Sequence, residues 1–186
     1  MKKYEPRLKK QYKEKISKDL KGELGIDNVM ALPRLEKIVI NVGLGKLKDD
    51  KGAFDQAIED ISLITGQKPV VTKAKKAISN FKISKGENIG LKVTLRGDRM
   101  WEFYDRLVNI VLPRLKDFRG VSDKAFDGNG NYSLGLREHT VFPEIDTNKV
   151  TKAFSMQVNI GIASSNDENS QKLLRHLGMP FIKRQK

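Results

Sequence analysis

The stretch Asn88-Ile-Gly-Leu-Lys-Val-Thr-Leu-Arg-Gly97 decides the fold. Leu91, Val93 and Leu95 fall on one side of a period-two pattern, and Lys92, Thr94 and Arg96 fall on the other. That alternation reads as a β-strand buried on one face only. A strand covered on both faces would be apolar throughout. Glu36-Lys-Ile-Val-Ile-Asn-Val-Gly-Leu-Gly45 repeats the pattern: Ile38, Ile40, Val42 and Leu44 alternate with Lys37, Val39, Asn41 and Gly43. Ser155-Met-Gln-Val-Asn-Ile-Gly-Ile-Ala163 does so again, with Met156, Val158, Ile160 and Ile162 inward and Gln157 and Asn159 outward. Pro69–Thr72 and Tyr132–Leu136 read as shorter strands.

Helical periods lie between these strands. Asp49 or Asp50 caps a helix reaching Thr65, with Phe54, Ala57, Ile58, Ile61 and Ile64 on its apolar stripe and Gly66 at its end. Asp98 is placed as the N-cap of a second helix, with Met100, Phe103, Tyr104, Leu107, Ile110 and Val111 inward and Pro113 closing it. A third starts near Ser165 or Asn166, buries Leu173, Leu174 and Leu177, and stops at Gly178-Met-Pro180. Near the N-terminus, Tyr4, Leu8, Tyr12, Ile16 and Leu20 recur every fourth residue. They form the stripe of a basic helix over 3–21, ending at Gly22 or Gly25, whose other faces carry Lys9, Lys10, Lys13, Lys15 and Lys18. The expected architecture is α+β: a mixed, largely antiparallel sheet of about five strands, with helices packed on one face and a lysine-rich loop. The other sheet face is left open. It carries Asn41, Lys92, Thr94, Arg96, Arg137, Gln157 and Asn159, with no carboxylate among them.

Composition narrows the function. The 186 residues suit a single domain, 1–186. Lysine and arginine number 36 against 23 acidic residues, and the isoelectric point is near 9.8. Such a chain attracts nucleic acid, anionic membrane or acidic protein. The absence of cysteine excludes disulfides, thiolate catalysis and thiolate metal sites, and it fits a reducing compartment. Met1-Lys-Lys-Tyr4 opens like a signal peptide, but no apolar segment follows, and no apolar run reaches the roughly 18 residues a bilayer requires. A soluble, cytoplasmic protein is expected.

Enzymatic motifs fail on inspection. Val42-Gly-Leu-Gly-Lys46 follows a strand but lacks the spacing of a phosphate loop and the hydroxyl residue after the lysine. Neither His139 nor His176 has a second histidine at metal-ligand spacing. His139 beside Glu138 is a weak base candidate. His176 reads as a helix-end surface residue. Glu59 and Asp60 read as a solvated helix face. No cofactor is implied.

The segment Lys73-Ala-Lys-Lys-Ala-Ile-Ser-Asn-Phe-Lys-Ile-Ser-Lys-Gly86 holds five lysines, no acid and one aromatic. Draped along RNA, Lys73, Lys75, Lys76, Lys82 and Lys85 would displace counterions from phosphates. Phe81, between Asn80 and Lys82, would stack on a base or ribose, or else tuck the loop against its own domain. The open sheet face lacks exposed aromatics, so hydrogen bonding to ribose, phosphate and base edges is its mode. No DNA-binding motif accompanies the charge.

Several segments together resemble one family: PRLEKIVINVGLG, ITGQKPVVTKAKKAISNFKISKG, GLKVTLRGDRMWEFYDRLVNIVLPRLKDFRG, DGNGNYSLGLRE and FPEID. The chain is similar, over about residues 4–183, to the bacterial large-subunit ribosomal proteins of the number-five family, which bind 5S rRNA. The resemblance implies a non-enzymatic component of the central protuberance that binds 5S rRNA and a 23S rRNA helix. It also implies a bridge to a small-subunit protein, neighbouring ribosomal proteins as partners, and a basic loop that approaches P-site tRNA. By resemblance the rRNA surface uses Asn41, Gln67, Thr94 and Arg96, with Lys92 beside them, and the tRNA-facing loop is Lys73 to Gly86. Ser84 stands where the family is usually basic, and Glu87 adds a negative charge beside the loop. Two other readings stand beside this one. An RNA-processing enzyme or nucleotide-dependent factor would require a metal or phosphate site. A membrane-surface protein would have to insert the first helix, whose Gln11, Ser17 and tyrosines make insertion weak.

Overall fold

The computed structural model describes residues 4–47, 50–163 and 166–182. Lys3, Asp49, Ser165 and residue 183, all used in the sequence reading, lie outside them.

Five strands form an antiparallel sheet: β1 (Arg34–Gly43), β2 (Val70–Lys73), β3 (Asn88–Leu95), β4 (Tyr132–Leu136) and β5 (Met156–Ala163), in the order β2-β3-β1-β5-β4. The two long alternating strands, β3 and β1, are neighbours, and β5 flanks β1 on its other side. The helices are α1 (Arg7–Gln11), α2 (Ser17–Leu24), α3 (Lys51–Thr65), α4 (Gly97–Arg106), α5 (Leu112–Arg114) and α6 (Asp167–His176). A π turn at Tyr12–Ile16 joins α1 to α2, and another at Leu107–Val111 joins α4 to α5, so among the described residues the helical bodies number four. The α+β architecture is the one the alternation predicts.

The chain divides into two compact units. The first comprises residues 1–38, 95–134 and 159–186. Its described core includes Leu8, Ile16, Leu20, Ile38, Leu95, Phe103, Leu107, Ile160 and Leu173. Within it Arg7 grips Asp105 through two bonds, of 3.1 and 2.6 Å, Lys9 reaches Asp98 at 2.6 Å, and Tyr12 lies against Trp101 with ring centroids 5.7 Å apart. The N-terminal helix is thereby held to α4.

Five details of this unit differ from the sequence reading. The first helix begins at Arg7 and not near residue 3, and it runs to Leu24; Gly25, one of the two expected ends, closes it at φ +63°. Tyr4 precedes the helix and is exposed, because Pro6 holds an extended backbone there. Asp98 is not the N-cap: Arg96 occupies that position, and Asp98 sits in the first turn facing Lys9. Pro113 does not close α4. The π turn before it lets Leu112 N–H reach Leu107 O, and the helix continues through Arg114, since proline is tolerated at the start of a turn where its missing N–H is not needed. The same widening rotates Ile110 outward, and it is exposed.

The second unit comprises residues 39–94 and 135–158. Its core joins Ile40, Val42, Leu91, Val93, Met156 and Val158 from the strands with Ala53, Phe54, Ala57, Ile61 and Ile64 from α3. Asp50 caps α3 by accepting from Ala53 N–H at 3.1 Å, and Gly66, at φ +65°, ends it. Lys152 beside Asp50 holds that carboxyl below its usual range. β2 and β3 pair antiparallel, with Val70 opposite Lys92 and Thr72 opposite Gly90. Glycine is required at position 90: a Cβ there would stand 2.5 Å from Val42 O and 3.0 Å from Thr72 Oγ1.

Asp60 does not belong to a solvated face. Only 8% of it is exposed, and its Oδ2 lies 3.2 Å from His139 Nε2. The His139 ring is fully buried and stacks on Phe154 at 3.7 Å, with Phe154 N–H 3.4 Å from Nδ1. Burial holds the imidazole below its ordinary pKa and therefore neutral, and it pushes the Asp60 carboxyl up. His139 is a core residue with no route to a substrate.

Candidate nucleic-acid interface

The outward positions of the second unit are built by strand pleating. Burying Ile40 and Val42 turns Asn41 outward, and burying Leu91, Val93 and Leu95 turns out Lys92 and Thr94. Gln157 is turned out between Met156 and Val158 in the same way. Strand order places Asn41 on β1 between Lys92 and Thr94 on β3 and Gln157 on β5. Asn41, Lys92, Gln157 and Arg137 are exposed, and Thr94 is half-buried. None of these positions bears a carboxylate, so the face offers amide, hydroxyl and cationic groups to an anion-rich partner. Arg96 lies in the first unit, exposed, where its backbone forms the N-cap position of α4. Asn159, also there, is half-buried, and its Oδ1 accepts from Ser133 Oγ at 2.9 Å.

Gln67 is joined to this face by the turn that ends α3. Its Nε2 approaches Thr94 O at 3.4 Å. Its backbone N–H is 3.2 Å from the hydroxyl of the buried Thr65, and its carbonyl is 2.9 Å from the same hydroxyl. Strand alternation does not single out Gln67, because it stands on neither a strand nor a helix. The structure adds a residue that sequence reasoning missed. Val70 is opposite Lys92 in the β2–β3 register, so the two side chains share a face, and Val70 is exposed. The phase of β2 relative to β3 is the signal that would find it, and that phase needs the register.

The lysine-rich segment connects β2 to β3 as a closed, hydrogen-bonded arm. Ala74 N–H donates to Glu87 O at 2.8 Å, and Gly86 N–H donates to Ala74 O at 2.9 Å. Farther out, Ile78 and Ile83 exchange backbone bonds of 2.9 and 3.1 Å. The tip is a 3-10 turn, Ser79–Phe81, followed by Lys82 at φ +51°. Lys73, Lys75, Lys76, Asn80, Phe81, Lys82 and Lys85 are all exposed. Phe81 is 70% exposed, so it does not tuck the arm against its own unit. Among the described residues no acidic side chain pairs with Lys73, Lys75, Lys76 or Lys85. Glu87 turns inward, where its Oε2 accepts from Ser84 N–H at 2.8 Å, so it closes the arm as well as adding charge.

His176 occupies the surface of α6, as expected, with Nε2 2.9 Å from Glu23 Oε2. Among the described residues no group of three or more potential ligands could hold a metal ion, and no helix is long and apolar enough to cross a membrane.

Comparison with known proteins finds a family match over most of the chain. Residues 28–83 match the family described as ribosomal protein L5, and residues 88–181 match the model of that ribosomal family's C-terminus. The large ribosomal subunit protein uL5 of Anaeromyxobacter sp. (strain Fw109-5) is 55% identical over 175 residues, covering 94% of this chain and 97% of the relative. The protein of the same description from Halothermothrix orenii is 53% identical over 174 residues, with the same coverage of both chains. That from Moorella thermoacetica is 52% identical over 175 residues, covering 94% of this chain and 97% of its own.

Proposed function

The chain belongs to the ribosomal protein L5 family, and from that premise we propose that it binds 5S rRNA through Asn41, Gln67, Lys92, Thr94 and Arg96. It is a structural constituent of the large ribosomal subunit and not an enzyme. Its place is therefore the ribosome, with rRNA and ribosomal proteins as its partners.

The observation that carries the proposal is the set of outward positions Asn41 on β1 and Lys92 and Thr94 on β3, none of them a carboxylate, with Gln67 reaching Thr94. Exposed amides and hydroxyls on a sheet suit a folded RNA, whose ribose hydroxyls and base edges both donate and accept. The strands hold these groups at fixed spacings, so little ordering is required on binding. The arm serves a second RNA. Lys73, Lys75, Lys76, Lys82 and Lys85 meet phosphates of P-site tRNA, and Phe81 and Asn80 at its tip meet a base or ribose. A 23S rRNA helix and a bridge to a small-subunit protein complete the assembly.

Sequencing the RNA that copurifies with the full chain at moderate salt tests the reading. The expected result is enrichment of 5S rRNA. Recovery of tRNA alone, or of no RNA, counts against it.

A further inference from the structure

We infer that Thr65 is a positioning residue for RNA binding: its buried hydroxyl sets Gln67, and through Gln67 it joins the end of α3 to the outward side of β3. The inference rests on the proposed 5S rRNA surface. Thr65 is the last residue of α3 and is 3% exposed, so it cannot touch RNA itself. Its Oγ1 accepts from Gln67 N–H at 3.2 Å. The same oxygen stands 2.7 Å from Ile61 O and 2.9 Å from Gln67 O, and its one proton serves those two carbonyls. Both backbone groups of Gln67 are thus referred to a single buried atom. Gly66, in the left-handed region, brings the chain round so that this is possible. The Gln67 side chain then leaves in a defined direction, with Nε2 3.4 Å from Thr94 O.

Helix-end threonines commonly bond back to the carbonyl four residues earlier, and that bond alone would be a matter of helix termination. The two further contacts to Gln67 are what helix termination does not require. Gly66 N–H already closes the helix end through its own bond to Ser62 O at 2.8 Å. The hydroxyl's remaining capacity goes to the residue that faces the partner.

The test measures 5S rRNA affinity and thermal stability of the full chain for wild type, Thr65→Val, Thr65→Ser, Gln67→Ala and the double variant Thr65→Val/Gln67→Ala. Valine matches threonine in shape and removes the hydroxyl; serine keeps it. The expected result is binding about fivefold weaker for Thr65→Val, the size of one lost hydrogen bond, and wild-type binding for Thr65→Ser. In the Gln67→Ala background, Thr65→Val has no further effect on affinity. Should Thr65→Val fail to fold, Thr65→Ala removes the same hydroxyl without adding bulk. A hydroxyl-lacking variant that loses stability but binds like wild type overturns the inference. So does one that weakens binding equally with and without Gln67. A wild-type chain that ignores 5S rRNA overturns the underlying reading instead, and the inference with it.

Discussion

Replacing Lys73, Lys75 and Lys76 with glutamine should change how tRNA binding responds to salt while sparing 5S rRNA. The three side chains are exposed at the base of the arm, and no described acidic side chain pairs with them. Their charge is therefore available to phosphates. Each phosphate neutralised contributes roughly 0.7 to 0.9 to the slope of log affinity against log salt, so three lysines carry a slope of roughly 2.1 to 2.7. Across a fourfold rise in salt, from about 50 to about 200 mM, that slope is roughly a 20- to 40-fold loss of affinity. The wild-type chain should show this extra loss for tRNA, and the triple variant should lack it. Titrating labelled tRNA and labelled 5S rRNA separately, over several salt concentrations, gives both slopes. The 5S slope should change by less than about one phosphate equivalent. An unchanged tRNA slope would mean the arm meets no phosphates. An equal fall in the 5S slope would mean that the two RNA surfaces have been exchanged.

Asn41→Ala with Thr94→Ala should leave the melting temperature near wild type, because both side chains point outward, and weaken 5S rRNA binding by roughly five- to thirtyfold, the size of one to two hydrogen bonds; filter binding and a thermal melt check both halves. Phe81→Ala should alter stability by less than about 0.5 kcal/mol, since the ring is exposed. It should cost tRNA contact about 1–3 kcal/mol if the ring stacks on a base, measured as affinity in assembled ribosomes. Asp60→Asn should steepen the loss of stability as pH falls from about 6.5 to 4, read by urea unfolding at stepped pH. Burial keeps His139 neutral in the fold, so unfolding takes up a proton below the unfolded histidine value, and stability falls with pH there. Asp60, with its pKa raised by burial, takes up a proton in the fold and opposes that fall. Removing Asp60 also removes the charge that raises the His139 pKa, so both changes act in the same direction. A flatter profile in the variant would reverse the assignment.

The strands and helix ends are legible in the sequence because their signals are local. Ile38-Val-Ile-Asn-Val42 and Leu91-Lys-Val-Thr-Leu95 carry their burial in their own alternation, and Asp50 and Gly66 mark α3 by cap chemistry within a few residues. The outward placement of Asn41, Lys92 and Thr94 follows from the same alternation. What is not legible depends on residues far apart in the chain. Asp60 reads as solvated because its partner, His139, is 79 positions away, and only the fold brings them within 3.2 Å. Val70 needs the β2–β3 register, and Gln67 needs the geometry of the turn after Gly66. The π turn before Pro113 leaves no mark in the apolar period, so the sequence alone ends the helix too early and puts Ile110 on the wrong side. Phe81 is ambiguous because an aromatic ring in a basic loop suits both burial and stacking; its exposure follows from the Ile78–Ile83 pairing, which holds the tip closed without it.

Opposite sides of the same strands separate stability from the proposed recognition in the second unit. Ile40 and Val93 are buried, so truncating either to alanine should cost about 2–5 kcal/mol for isoleucine and somewhat less for valine. Against a typical total of about 5–15 kcal/mol, that endangers the fold. Asn41 and Thr94, one residue along, support almost none of it. Thr94 is the less complete separation, because its backbone carbonyl receives Gln67 while its side chain points outward. Changing the Thr94 side chain leaves that carbonyl in place, whereas shifting the β3 backbone moves both. Gly90 is where such a shift would originate. Any side chain there meets the Val42 carbonyl, and the strand can relieve the contact only by separating β3 from β1. The close approach of β3 to β1 at Val42 therefore requires a residue with no side chain at position 90, and that requirement comes from backbone proximity rather than from RNA.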